Sequence, residues 1–350
     1  MNRLKKTLTG ENIACGYLYF YVHFILEVVC FFYLSRISDS PIVWLVPFLY
    51  DAFAFVPQGL VGYIKDKYKK IDVGLIGTFF LFIGILLFSF GVNKFISLFI
   101  ICIGNCFLHV SGAETTIKVS KGKLSHSAIF VAGGSFGIII GRLLAKTNIS
   151  SFYLLPLILT IIPFILTADS YVKDDSNCNN YNYVKKGLSP GIVIMIAVLV
   201  VIVRGYMGYG IPTSWNQTDI QSVLLFFTMG FGKAIGGILS DLFGIRKVAI
   251  ISTLFAIPFL IIGDSIMIVS LIGIMFFSMT MSITLGILVS ELKKTPGLAF
   301  GLTTIGLFIG TIPIFFVKIT SSIANTLMLV IVSIVCSIAL GYVLRGDGNV

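Results

Sequence analysis

Charge is what this sequence has least of. Only 11% of its 350 residues are Asp, Glu, Lys or Arg, while 57% are hydrophobic. A soluble domain carries about 25% charged residues. So little charge cannot cover a water-soluble globule of this length, and the solvent around most of the chain must be lipid. The period-two alternation of barrel strands is also missing. Only helices and closed barrels satisfy their backbone polar groups inside a bilayer, so an all-α membrane protein remains. There is no Walker loop, no HExxH and no dinucleotide fingerprint in a strand–helix context. The Gly-rich stretches lie inside apolar runs, where they cannot cradle a nucleotide. No enzyme chemistry and no cofactor are expected.

The six cysteines are equally uninformative about metals. Cys15, Cys30, Cys102, Cys106 and Cys336 fall in apolar runs and Cys178 in a polar loop. Cys102 and Cys106 stand one helical turn apart without a second ligand pair, so no metal site is expected. The net charge of +10 sits in short loops, which points to topology and not to nucleic acid.

What is present in abundance is the apolar run long enough to span, about 20 residues. Spans are expected at 12–34, 41–64, 71–92, 95–117, 126–145, 151–168, 190–209, 220–242, 248–263, 265–289, 298–317 and 323–344. The first is too long for a signal-peptide core and lacks a cleavage pattern, so it is expected to stay as helix one. The one long polar connection, 169–189, is rich in Asn and Asp and lies at the midpoint. It divides the chain into an N-terminal six-helix lobe (1–168), a linker (169–189) and a C-terminal six-helix lobe (190–350).

Lys and Arg set the orientation. Of the 25, eighteen fall at the N-terminus, in the linker, near the C-terminus and in alternate loops. They are Arg3, Lys5, Lys6, Lys65, Lys67, Lys69, Lys70, Lys118, Lys121, Lys123, Lys173, Lys185, Lys186, Arg246, Lys247, Lys293, Lys294 and Arg345. Only Arg36, Lys94, Lys146 and Lys318 fall in the opposite loops. The expectation is a multi-pass protein of the cell membrane with both termini and the linker cytoplasmic.

The loops after spans two and eight repeat a pattern. The first has Gly62, Asp66 and Lys67 followed by Lys69 and Lys70; the second has Gly237, Asp241, Gly244 and Arg246. They lie half a chain apart, and internal repeats are a known construction of secondary transporters. In such a gate the Gly permits close helix approach, and the Asp can pair with basic groups that part as the lobes rock. These residues resemble the signature loop of the major facilitator superfamily, G-x-x-x-D-R/K-x-G-R/K-R/K. In the first copy Lys69 replaces the loop Gly, so its turn is expected to differ. The resemblance implies twelve spans in two pseudo-symmetric lobes. A finer resemblance, to the fosmidomycin-resistance branch of proton-coupled drug exporters, rests on His23-Phe24-x-x-Glu27 and Phe107-Leu-His109. Val110 and Ser111 replace that branch's Pro and Glu.

Ionisable groups inside a bilayer are costly and mark candidate sites. The first lobe holds His23, Glu27, Asp51, His109 and, near an inner helix end, Glu114; Arg142 lies towards an outer end. The second holds Arg204 and Lys233. His23 and Glu27 share a helix face and form a pair able to load and release a proton near neutral pH. They are the expected proton-coupling site, with Asp51; the alternative is a static brace of span one. His109 and Asn105 share a face and are either substrate contacts or a satisfied core pair. Arg204 and Lys233 bind an anionic substrate, close salt bridges with Glu27 or Asp51, or snorkel towards an interface, and Arg142 is grouped with them as a substrate contact. Glu114 and Glu291 are expected at the gate, and His126 in solvent. Gly133, Gly137 and Gly141 in span five, with Gly232 and Gly236 in span eight, are expected to form sliding surfaces between the lobes.

The function expected is a monomeric, proton-coupled carrier of a small molecule, driven by the proton gradient; the resemblance to the drug-export branch implies an exporter of a drug or metabolite, and the sequence leaves the direction open. An uptake symporter for a small anion is one alternative, and a non-transporting sensor that kept the fold is another.

Overall fold

A computed structural model describes residues 12–37, 45–172, 178–316 and 322–346 of the protein. Arg3, Lys5, Lys6, Lys173, Lys318 and residues 41–44 and 317 of the expected spans lie outside these. The described residues form helices joined by turns and loops, with one isolated antiparallel bridge between Val184 and Leu344.

The elements in order are α1 (Ile13–Ile37), α2 (Leu45–Lys67), α3 (Val73–Ser89), α4 (Lys94–Val119), α5 (Ser125–Ala145) and α6 (Ser151–Asp169). After the linker come α7 (Pro190–Gly210), α8 (Asp219–Phe243), α9 (Ile245–Ile262), α10 (Met267–Glu291), α11 (Pro296–Phe316) and α12 (Ser322–Val343). Eleven are long and apolar enough to cross a membrane. The exception is α3: where residues 71–92 were expected to span, the apolar helix has 17 residues.

Local chemistry explains the ends and breaks. Asp72 caps α3 by accepting the Leu75 N–H, and Asn93 caps α4 by accepting the Phe95 N–H. Thr218 and Gln221 form a reciprocal capping box at α8. Helix α2 is broken ahead of Gln58, since Pro57 carries no N–H. The Gln58 side-chain amide donates to the Ala54 carbonyl at 2.8 Å across that break.

Large apolar side chains stand on the surface, and several ionisable or amide side chains are buried among the hydrophobic core. Leu60, Phe79, Phe90, Ile220, Ile268 and Ile338 are exposed, whereas His23, Glu27, Asn105, His109 and Glu114 are buried. That inversion suits a lipid surround.

In the first half α1 packs on α5, α6 and α4, and α3 on α4; in the second, α7 packs on α11 and α9 on α10 and α12. The halves meet where α5 packs on α8 and α2 on α11. The described C-terminal part of the linker, from residue 178, is docked on the helices. Tyr181 shares a hydrogen bond with Ser120, Tyr183 N–H donates to Ser290 at 3.2 Å, and Arg345 N–H donates to the Tyr183 carbonyl at 2.8 Å. Cys178, expected in a polar loop, is buried there, and burial pushes its thiol up to about 12.

The expected glycine surfaces are corrected. Any side chain at Gly133, Gly137 or Gly141 would run into the α1 backbone at Phe20, Phe24 and Val28, so this stripe seats α5 on α1 within one half. Gly232 and Gly236 seat α8 on α10 at Met275 and Met279 in the same way. α5 meets α8 through other residues: Phe136 lies against Gly230, and Ala128 against Gly237.

Candidate functional site: a buried carboxylate between two histidines

α1 carries His23 and Glu27 one turn apart, and α4 carries Asn105 and His109 one turn apart. Packing α4 on α1 brings the two pairs together. Glu27 Oε1 lies 3.8 Å from His23 Nε2 and 3.5 Å from His109 Nε2. The imidazoles meet edge to face with centroids 4.6 Å apart. The Asn105 amide donates to Glu27 Oε1 at 3.2 Å and to the Tyr50 hydroxyl at 2.9 Å, tying α2 into the cluster.

The hydrogen bonds fix the histidine tautomers. His23 Nδ1 stands 2.9 Å from the Phe130 carbonyl and His109 Nδ1 3.0 Å from the Asn105 carbonyl. A carbonyl only accepts, so each Nδ1 carries the proton. In the neutral rings each Nε2 is then a lone pair, and both lone pairs face a carboxylate oxygen. Three acceptors converge on one spot, which calls for a proton or another cation between them. Gly134 makes the room: a Cβ there would lie 2.5 Å from the His23 ring.

Lys233 of α8 reaches this region from the other half. Its ammonium donates to Ser135 Oγ of α5 at 2.8 Å and interacts electrostatically with Glu27 and both histidines. Asp51 of α2 is half-buried and interacts electrostatically with Glu27 and Tyr209. Phe300 of α11 lies against the His109 ring, so four elements of the first half (α1, α2, α4 and α5) and two of the second (α8 and α11) line the site.

Neither Lys233 nor Arg204 makes the direct salt bridge with Glu27 or Asp51 weighed from the sequence. Arg204 instead donates to the Phe277 carbonyl of α10 and stacks over the Phe277 ring, 4.3 Å from its centroid. Arg142 sits 5.2 Å from the Phe31 and Phe226 rings, one from each half. Nearby, Lys146 pairs with Asp219 across the same boundary.

At the Lys-rich end the two repeated aspartates differ from expectation. Asp66 accepts the backbone N–H groups of Gly297 and Leu298 at 3.1 and 2.9 Å, and Asp241 those of Leu124 and Ser125 at 2.8 and 3.0 Å. Each carboxylate binds the start of a helix in the opposite half, α11 or α5, where the macrodipole favours negative charge. Their partners are backbone amides and not basic side chains. Gly62 packs directly on the backbone of Gly297, and Gly237 on Leu124 and Ala128. Lys67 ends α2, Arg246 lies in the first turn of α9 beside Gly346, and Glu291 ends α10.

Glu114 pairs with Lys118 and, at 4.0 Å, with Lys65. These groups, with Asp72 and Asp169, line a cleft of about 510 Å³. His126, expected in solvent, is buried where Gly16 packs on its backbone. Tyr50, Phe130, Gly134 and Ser135 were not singled out from the sequence; only Gly134, beside the stripe at Gly133, carried any signal.

Solved structures share this architecture. The crystal structure of the human organic anion transporter MFSD10 superposes with a TM-score of 0.67 at 12% identity, covering 95% of this chain and 100% of that one. A structure of the Escherichia coli fucose:proton symporter FucP gives 0.64 at 14% identity, covering 94% and 97%. The outward conformation of the transporter FucP, of the major facilitator superfamily, gives 0.61 at 13%, covering 95% and 98%. No protein-family model matches the sequence, and no curated protein does. At these identities the likeness establishes the fold.

Proposed function

From a chain that carries the major facilitator fold, we propose a secondary transporter that moves a small molecule across a membrane by alternating access, coupled to protons through Glu27. Its two six-helix lobes, 1–168 and 190–350, rock about the Glu27 cluster, with both termini cytoplasmic. The observation that carries the reading is the placement of one buried carboxylate between two histidine lone pairs, opposite a lysine of the other half. A proton on the cluster removes the repulsion among its acceptors. Its loss leaves a negative charge that attracts Lys233, so protonation biases how closely the halves approach. That differential interaction with two states is what coupling requires.

Lys233 also makes an anionic solute the favoured cargo, since a half-buried ammonium that, among the described residues, donates to one serine retains unused donors. The test is reconstitution into liposomes with an imposed pH gradient. Solute-dependent proton flux is expected and should be lost in Glu27→Gln. Flux that persists unchanged in that variant removes Glu27 from the mechanism.

A further inference from the structure

We propose that His23, Glu27 and His109 bind a divalent transition-metal ion, in competition with the proton. This rests on the reading of the same cluster as the coupling site and adds a second ligand for it.

The ligand atoms of the three residues lie within 4.8 Å of one another, and all three side chains are buried. A tetrahedral ion with ligand bonds of about 2.0–2.1 Å would draw such atoms to roughly 3.4 Å apart. The Glu27 separations of 3.5 and 3.8 Å are already near this. Two imidazole nitrogens and one carboxylate oxygen suit zinc-like and iron-like ions.

The second argument is orientation. A histidine that ligates a metal through Nε2 almost always donates its Nδ1 proton to a carbonyl or carboxylate, which holds the ring and fixes the tautomer. Both histidines do this here, with the Phe130 and Asn105 carbonyls. The lone pairs are therefore presented before any ion arrives. A third observation is the Asn105 side-chain oxygen, which is buried and has no hydrogen-bond partner although its amide nitrogen serves Glu27 and Tyr50. A buried acceptor without a donor is costly, and an ion or its bound water beside Glu27 would supply what it lacks.

The charged and titratable groups around the cluster are Cys30 on α1, Tyr50 and Asp51 on α2 and Lys233 on α8. Asp51 favours a cation and Lys233 opposes one. Lys233 belongs to the other half, so the ion is held more tightly when the halves part.

The probe is Co2+, titrated into purified full-length protein in lipid nanodiscs and read by its visible absorption. One equivalent should bind, and binding should weaken at least tenfold in each of H23Q, E27Q and H109Q. Lys233→Met should tighten it severalfold, and Cys102→Ser with Cys106→Ser should leave it unchanged. Zn2+ should block proton flux in liposomes made with the wild type. No saturable Co2+ binding by the folded wild type overturns the proposal, as does binding that survives all three substitutions. The proton reading is judged separately, by metal-free flux. Absent metal binding with intact Glu27-dependent flux removes only the metal, whereas flux indifferent to Glu27 removes the coupling site.

Discussion

Asp241 in α8 accepts the backbone N–H of Leu124 at 2.8 Å, holding the start of α5 in the opposite half of the chain. Asp66 does the same for α11, so each half contributes one carboxylate that closes the Lys-rich end on the other's helix terminus. The sequence repeat thus encodes two reciprocal helix caps. In the carrier proposed above, opening this end would give up backbone amides at a helix start, which water would then satisfy.

Neutralising either cap while keeping its shape should loosen that end. Asp241→Asn and Asp66→Asn each forfeit a charge at a helix N-terminus, about 1–2 kcal/mol in partly buried geometry. This is a roughly five- to thirty-fold shift in the closed-to-open ratio. Spin labels at Lys67 and Lys294, measured by double electron–electron resonance, should show a longer distance gaining population. An unchanged distribution in both variants removes the aspartates from the gate.

The glycines of α5 should separate stability from coupling. At Gly137 an added Cβ meets the Phe24 carbonyl and Glu27, so Gly137→Ala forces α5 off α1 and should cost about 1–3 kcal/mol. At Gly134 the three atoms nearest an added Cβ all belong to the His23 ring, and no backbone atom is among them. Gly134→Ala should therefore lose proton-coupled flux while its thermal transition stays nearer to wild type. Equal destabilisation by both would show that His23 is merely packed.

The helices were legible because an apolar run of bilayer length states itself in any reading frame. Their breaks were less so: α2 parts ahead of Gln58, and its Pro57 sits within a run that reads as continuous. Half of the site was legible too, since His23 and Glu27 lie at i, i+4 on one helix. His109 and Tyr50 join them only through tertiary packing, because nothing in α4 or α2 alone says which face meets α1. The same gap explains the glycine stripes. Small residues announce close approach without naming the partner, and their partners proved to lie inside each half. Asp66 and Asp241 show a third limit, for backbone amides leave no mark in a sequence that a side-chain partner would.

The turn after α8 should tolerate no side chain. Gly244 has φ +96°, ending α8 and opening α9, a conformation L residues avoid. Gly244→Ala should cost on the order of 1–3 kcal/mol, seen as a lower thermal midpoint in detergent. The first repeat copy behaves differently. No residue of its turn has positive φ, and Lys65 closes it by donating to the Lys69 and Ile71 carbonyls at 3.0 and 2.8 Å. Lys69→Gly, which restores the repeat pattern, should therefore bring no gain in stability. A rise in midpoint would mean that the two turns share one geometry after all.

Arg204 provides the test of whether an intramembrane cation must meet substrate. Its guanidinium is taken up by the carbonyl and ring of Phe277, on a neighbouring helix of the same half. Replacing it with methionine keeps the apolar stem but removes both contacts. A buried hydrogen bond to a charged group contributes about 1.5–3 kcal/mol and a desolvated cation–π contact about 2 more at most. Arg204→Met should thus lower the thermal midpoint clearly while leaving the KM of whatever solute is carried within about twofold, a change worth only about 0.4 kcal/mol. Lys233→Met should show the converse, a larger change in KM than in stability, because among the described residues its ammonium donates one hydrogen bond, to Ser135, and its interaction with Glu27 is electrostatic without direct contact. If Arg204→Met instead raised KM tenfold at unchanged stability, the guanidinium would have to leave Phe277 during the cycle. The anion site would then extend from Lys233 to α10.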